Sequence, residues 1–231
     1  MRTFNLDRRP HYPDWGEPIK TYFGAYREVF AILNPFVKVP AHYDPSRAEH
    51  SLWGGKHDID YPGHAFVCSE CEEVTWAQVI QQTTFSSISE INHALINNGL
   101  GLHLRDEEKA QSLFEFCDQH GIYGPLDACC SPFNLLKIKQ LLNHYDQGQL
   151  EVLSESGDQD QTVALDSLDA SFTDHTAQAT LITLDRQWVL SNHWDSYITA
   201  MATNYPCSVE LLESFGFEVV YPDENFTLDI R

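Results

Sequence analysis

Three short β-favouring runs, Ala179–Leu184, Trp188–His193 and Tyr197–Thr203, follow one another with only Asp185-Arg186-Gln187 and Trp194-Asp195-Ser196 between them. Breaks this short join neighbouring antiparallel strands, so the spacing predicts a meander. Within the third run Ile198, Ala200 and Ala202 alternate with their neighbours, the period of two that places residues on one face of a sheet. A short helix over 208–215, stopped at Gly216, then leads into the strand-like Phe217-Glu218-Val219-Val220-Tyr221.

The first part of the chain has a different texture. From Ile19 to Leu33 the apolar positions Tyr22, Tyr26, Val29, Phe30 and Leu33 recur at helical spacing, which predicts a helix closed by Asn34-Pro35. Ser87-Ile88-Ser89-Glu90 has the form of a capping box, with Ile88, Ile91 and Leu95 facing inward and Asn98-Gly99 as the stop. Asp106 can cap a further helix, with Glu107 and Glu108 at its positive end and Ala110, Leu113, Phe114 and Cys117 as its apolar stripe before Gly121. Ser131-Pro132 opens another, carrying Leu135, Ile138, Leu142 and Tyr145 up to Gly148. A helical part followed by a strand-rich part predicts an α+β fold, the helical N-terminal part packed on one face of a C-terminal antiparallel sheet. Residues 1–231 are expected to form a single compact domain, with sub-lobes 1–147, mainly helical, and 163–231, strand-rich, joined by 148–162. The polar stretch 154–161 reads as a loop tip or short linker.

Charge decides what such a surface attracts. Thirty-four acidic residues against fourteen basic ones give a net charge of -20. A phosphate backbone is bound by matching its charges with Lys and Arg, and the basic clusters here are only Arg8-Arg9 and Lys137/Lys139, so nucleic acid and anionic membranes are not expected partners. The excess instead favours cations and basic proteins or peptides within a screening length of about 8 Å. Neither a secretory signal nor a run of membrane-spanning length is apparent, so a cytoplasmic location is expected, with the six cysteines as reduced thiols. Trp15, Tyr22, Phe23, Tyr26, Tyr43 and Trp53 concentrate in the first quarter, where an aromatic face rimmed by acids would suit a basic partner.

Chemistry is sought first in the irregular stretch 40–63, because long loops inside compact domains often carry function. It leads into the densest set of ligand-type side chains: His57, Asp58, Asp60, His64, Cys68 and Cys71. Cys68-Ser69-Glu70-Cys71 is the C-x-x-C unit that can aim two thiolates at a tetrahedral zinc, with His64 or His57 as a third ligand, the Cys129-Cys130 pair or water as a fourth, and Asp58 or Asp60 as base or outer carboxylate. Buried cysteines packing as small hydrophobes account for the same residues. A redox role for the C-x-x-C is opposed by Glu70, Glu72 and Glu73, which push thiol pKa values upward. Ser191, His193 and Asp195 contain the residue types of a hydrolytic triad, but on one strand residues two apart lie roughly 6.5 to 7 Å from each other, beyond hydrogen-bond reach. His193 with a carboxylate from elsewhere remains a candidate general base. Glycine patterns give no nucleotide fingerprint. The sequence therefore leads to a noncatalytic binding or interaction protein for a cationic partner, with a zinc-dependent hydrolase on residues 57–71 as the alternative.

Overall fold

The structure, a computed structural model, describes residues 11–14, 16–44, 61–96, 102–127, 129–154, 157–168, 179–193 and 196–227. The expected meander is present as β7 (Thr180–Thr183), β8 (Trp188–Asn192) and β9 (Ile198–Thr203). It lies within a larger antiparallel sheet that also contains β1 (Glu28–Leu33), the hairpin β5 (Gln149–Leu153) and β6 (Gln161–Ala164), and the short β10 (Val219–Val220). Among the described residues the strand order is β10-β1-β9-β8-β7-β5-β6. Of the polar stretch 154–161, Gln161 opens β6, and Ser154 and residues 157–160 lie in the connection of the β5–β6 hairpin, where the Asp160 carboxylate accepts from the Ser154 amide at 2.9 Å.

β1 corrects the predicted helix over 19–33. Only α1 (Ile19–Tyr22) is helical, and residues 28–33 are a strand paired along its whole length with β9, Phe30 opposite Met201. Val29, Ala31 and Leu33 enter one core and Phe30 and Ile32 the other. A strand buried on both faces loses the polar alternation that marks a half-buried one, and its continuous apolar run then fits a helical period equally well.

The expectation of helices on one face is corrected for the same reason. One core packs the sheet against α1, α3 (Trp76–Gln82), α4 (Ile88–Leu95) and α5 (Glu107–His120), through Ile19, Trp76, Val79, Ile91 and Leu113. The opposite core packs it against α6 (Pro132–His144) and α7 (Val209–Ser214), through Leu135, Ile138, Leu142 and Leu212. β8 and β9 are buried at every position. Burying a Leu- or Ile-sized side chain contributes about 1.5 to 3 kcal/mol, so the two cores supply the main cohesion of the fold.

Helix ends follow local chemistry. Ser87, Asp106, Ser131 and Ser208 each accept, through a side-chain oxygen, the amide proton three residues on, and Pro132 opens α6 where its missing N–H costs nothing. At α4 the box is completed differently: Glu90 accepts from the Ser86 amide at 2.7 Å rather than from Ser87. Its expected stop, Asn98-Gly99, lies outside the described residues. Phe114 corrects the stripe of α5, being 49% exposed while Ala110, Leu113 and Cys117 are buried. A small sheet, β3 (Glu72–Val74), β2 (Phe36–Lys38) and β4 (Ile122–Tyr123) in the order β3-β2-β4, carries α2 (His64–Glu70) beside it. No helix among the described residues is long and apolar enough to cross a membrane.

Candidate functional site

α2 organises what is described of the His/Cys-rich stretch. His64 opens the helix, Cys68 lies in its last turn and Cys71 is its C-cap residue. The i, i+4 spacing puts His64 and Cys68 on one helical face. His57, Asp58 and Asp60 lie outside the described residues. Among those described, no three His, Cys, Asp or Glu side chains group so that they could hold a metal ion. All six cysteines are free.

The electrostatics around α2 work against a thiolate. Burial first, then the neighbouring Glu70 and Cys68, push the Cys71 thiol up to about 11. A helix C-terminus is the negative end of the helix dipole, which opposes an anion where a reactive dithiol would need a positive end. Cys71 packs instead beside the small apolar cluster Val37, Tyr61 and Val67. The Tyr61 phenol is raised by its burial, and next by Cys129 and Cys71, so these two thiols both lie within electrostatic range of one phenol.

His193, immediately after β8, is 2% exposed. Burial disfavours its charged form and lowers it to about 4, with Asp14 acting weakly in the opposite direction. Its ring meets Tyr12 edge-on, centroids 4.7 Å apart at 68°. Ser191 faces the same side of the sheet, and its hydroxyl donates to the His11 carbonyl at 2.6 Å. That proton is committed to the backbone, so Ser191 is not primed as a nucleophile by His193. Asp195 lies outside the described residues.

A buried polar hub at Asn34 went unread in the sequence, where the residue served only as a helix stop. Its Nδ2 donates to the Cys129 carbonyl at 2.7 Å, and its Oδ1 accepts from the Ser131 amide at 3.2 Å and from Asn134 Nδ2 at 3.1 Å. Its own carbonyl accepts from the Trp76 indole at 2.7 Å. The hub ties the β1–β2 junction to α3 and to the start of α6, and its work is structural. Glu218 acts similarly from the approach to β10: its two carboxylate oxygens accept from the Trp76 and Ala77 amides at 2.7 and 2.8 Å, capping α3 from a distant part of the chain. Its carboxyl is raised, chiefly by burial.

Among the described residues, the aromatic side chains of the first quarter do not make a single face. Phe23 and Tyr26 are buried in a main core, with Tyr22 packed against it. Tyr43 packs on Phe66 and Tyr123, centroids 5.2 and 6.0 Å apart, while Trp15 and Trp53 lie outside the described residues.

Charge on the surface is one-sided. Every lysine and arginine among the described residues lies within 2.5 to 3.6 Å of a carboxylate oxygen: Lys20 with Glu224, Arg27 with Glu28, Lys38 with Glu72, Arg105 with Glu107, Lys109 with Glu90, Lys137 with Glu73, Lys139 with Asp166 and Arg186 with Glu151. On the outer side of α5, Glu108, Glu115 and Asp118 are exposed beside Phe114. Their spacing of seven and three residues aligns them along the helix.

Fold and surface together define a class: a mixed helix–sheet protein whose antiparallel sheet is covered on both faces and whose described cations are all matched by carboxylates. Within that class the chain belongs to the family described as Protein of unknown function (DUF2711), whose model matches residues 16–229. No curated protein and no solved structure matches it.

Proposed function

We propose that the chain is a noncatalytic binding protein for a cationic partner, a basic protein or peptide. The observation that supports this reading is the pairing of every described lysine and arginine with a carboxylate, which leaves the acidic surplus to face outward. The exposed row Glu108, Glu115 and Asp118, with Phe114 beside it, offers charge and apolar surface together. Complementary charge mainly speeds encounter and selects partners, and it is screened by salt.

Pull-down from lysate across a salt series is the test. Captured proteins should be basic and should be lost as salt rises from about 0.05 to 0.5 M. The combined change Glu108→Gln, Glu115→Gln and Asp118→Asn should weaken capture about tenfold. An empty pull-down at low salt, or partners indifferent to salt, defeats the reading.

The zinc-hydrolase alternative draws on the proximity of Cys71 and Cys129 to the same Tyr61 phenol. It is separated by metal analysis of protein purified without an affinity tag. About one equivalent of zinc, together with a fall in melting temperature on chelation, would replace the binding reading, because a resident metal stabilises the fold that holds it.

A further inference from the structure

β6 ends the sheet as the last strand in its order, and its outer side faces no further strand among the described residues. Its register with β5 sets Gln161 opposite Val152, Thr162 opposite Glu151, Val163 opposite Leu150 and Ala164 opposite Gln149. One residue further on, the Leu165 amide donates to the Gly148 carbonyl at 2.9 Å. Bonded and non-bonded pairs alternate along an antiparallel ladder, so Val163 and Gln161 carry the next bonds to β5 and the backbone groups of Thr162 and Ala164 point away from it. The Ala164 carbonyl accepts from the Ser167 hydroxyl at 2.6 Å. The Thr162 amide and carbonyl and the Ala164 amide are left along the edge, where Gln161, Thr162 and Ala164 are exposed. Proteins ordinarily guard such an edge by brevity, lysine, proline or a bulge. At the opposite edge β10 has only two residues. β6 has four, Gln161-Thr162-Val163-Ala164, with neither lysine nor proline among them.

We propose that the outer edge of β6 is a docking site for an extended basic segment of a partner protein, which joins the sheet as a further strand. The inference rests on the basic-partner reading above and adds where and how such a partner is held. Charge selects the occupant. Asp158 and Asp160 precede the strand and Asp166 follows it, all three exposed. Lys139, 3.6 Å from the Asp166 carboxylate, offsets one of the three. An added strand lies about 4.8 Å from its neighbour, so lysine or arginine at its two ends comes within the screening length of these carboxylates. A second copy pairing edge to edge would instead bring its own three carboxylates to the same place, and like charges facing across strands are destabilising. Main-chain bonds to the Thr162 and Ala164 positions hold the segment whatever its exact sequence, and the flanking acids choose its sign.

The probe is a synthetic peptide of about ten alternating lysines and threonines, titrated against the full chain by fluorescence anisotropy and by amide hydrogen exchange. Binding should weaken as salt rises from about 0.05 to 0.5 M, and exchange of the Thr162 and Ala164 amides should slow on binding. Thr162→Pro removes an outward N–H and spares the bonds to β5, the setting in which an edge strand tolerates proline. It should weaken the peptide about tenfold at an unchanged melting temperature. The same peptide methylated on every backbone nitrogen keeps its charge but cannot donate, and should be weakened likewise, which keeps the test decisive if Thr162→Pro does not fold. Equal binding of the peptide by Thr162→Pro, or of the methylated peptide by the parent chain, would overturn the edge while leaving the basic-partner reading in place. Absence of peptide binding alongside salt-sensitive capture of basic proteins from lysate would do the same. Self-association that grows with salt and is lost in Thr162→Pro would give the edge to a second copy and overturn the proposal. Nothing bound in either experiment would sink both readings.

Discussion

Asn34 shows how much a single amide can hold. Its side chain satisfies the Cys129 carbonyl, the Ser131 amide and Asn134 Nδ2, all in a setting where Asn34 itself is 1% exposed. The Thr199 hydroxyl is also 3.3 Å from Asn34 Oδ1, but its proton has the shorter path to Asn192 Oδ1 at 2.7 Å. A buried donor or acceptor left without a partner costs about 1 to 3 kcal/mol. Asn34→Ala is therefore expected to lower unfolding free energy by about 3 kcal/mol or more, read by urea denaturation. Asn34→Asp keeps the acceptor but turns a carboxylate oxygen toward the Cys129 carbonyl, so it should destabilise more at pH 7 than at pH 4. An Ala variant within about 0.5 kcal/mol of the parent would remove the hub from the account of stability.

Among the elements, α5 carries the sharpest local test. It ends on Gly121 in the left-handed region at φ 63°, with the Gly121 amide donating back to the last turn. A Cβ added there would meet nothing nearer than Val39 Cγ2 at 3.8 Å, so the cost of a side chain is conformational and not a clash. Gly121→Ala should cost about 1 kcal/mol and Gly121→Asn less, measured by thermal or urea unfolding. Equal effects of the two would point to a contact rather than to backbone geometry. Stops and caps of this kind were the legible part of the fold: Asp106, Gly121, Ser131-Pro132, Ser208 and Gly216 all mark ends where the sequence places them. α2 was illegible because its N-cap is Gly63, with no side-chain cap and no acid in the first turn. α3 does carry a complete box between Thr75 and Gln78, but it spans only seven residues, too few for a period to stand out. β1 misled through burial on both faces. Of the candidate residues, His64, Cys68 and Cys71 are singled out by spacing alone, which says nothing of the negative helix end on which the thiols sit. The covering of His193 was beyond any local pattern, since Tyr12 and His193 are brought together only by the finished sheet.

At the scale of the whole molecule, a charge of -20 acts as a diffuse repulsion that folding concentrates. The ion pairs do not cancel it, because exposed pairs contribute only about 0 to 1 kcal/mol each and the surplus carboxylates remain. Sodium chloride screens both terms, and the surplus is the larger. The melting temperature should rise as salt increases from about 10 mM to about 0.5 M, followed by calorimetry. A flat or falling curve would mean that the matched pairs outweigh the unmatched charge. Magnesium chloride at equal ionic strength is the natural control for cation association beyond screening.

The position of β1 also sets a timetable. It is inserted between β9 and β10, with Phe30 opposite Met201 and Ala31 opposite Val220. A ribosome adding about 5 to 20 residues each second has this strand outside for on the order of ten to thirty seconds before either neighbour is made. Throughout that interval an apolar ribbon waits with both hydrogen-bonding edges unclaimed, the state in which strands find wrong company. The pairing of β1 is thus deferred until β9 and β10 have been made, and chaperone demand should fall on the nascent chain rather than on the finished protein.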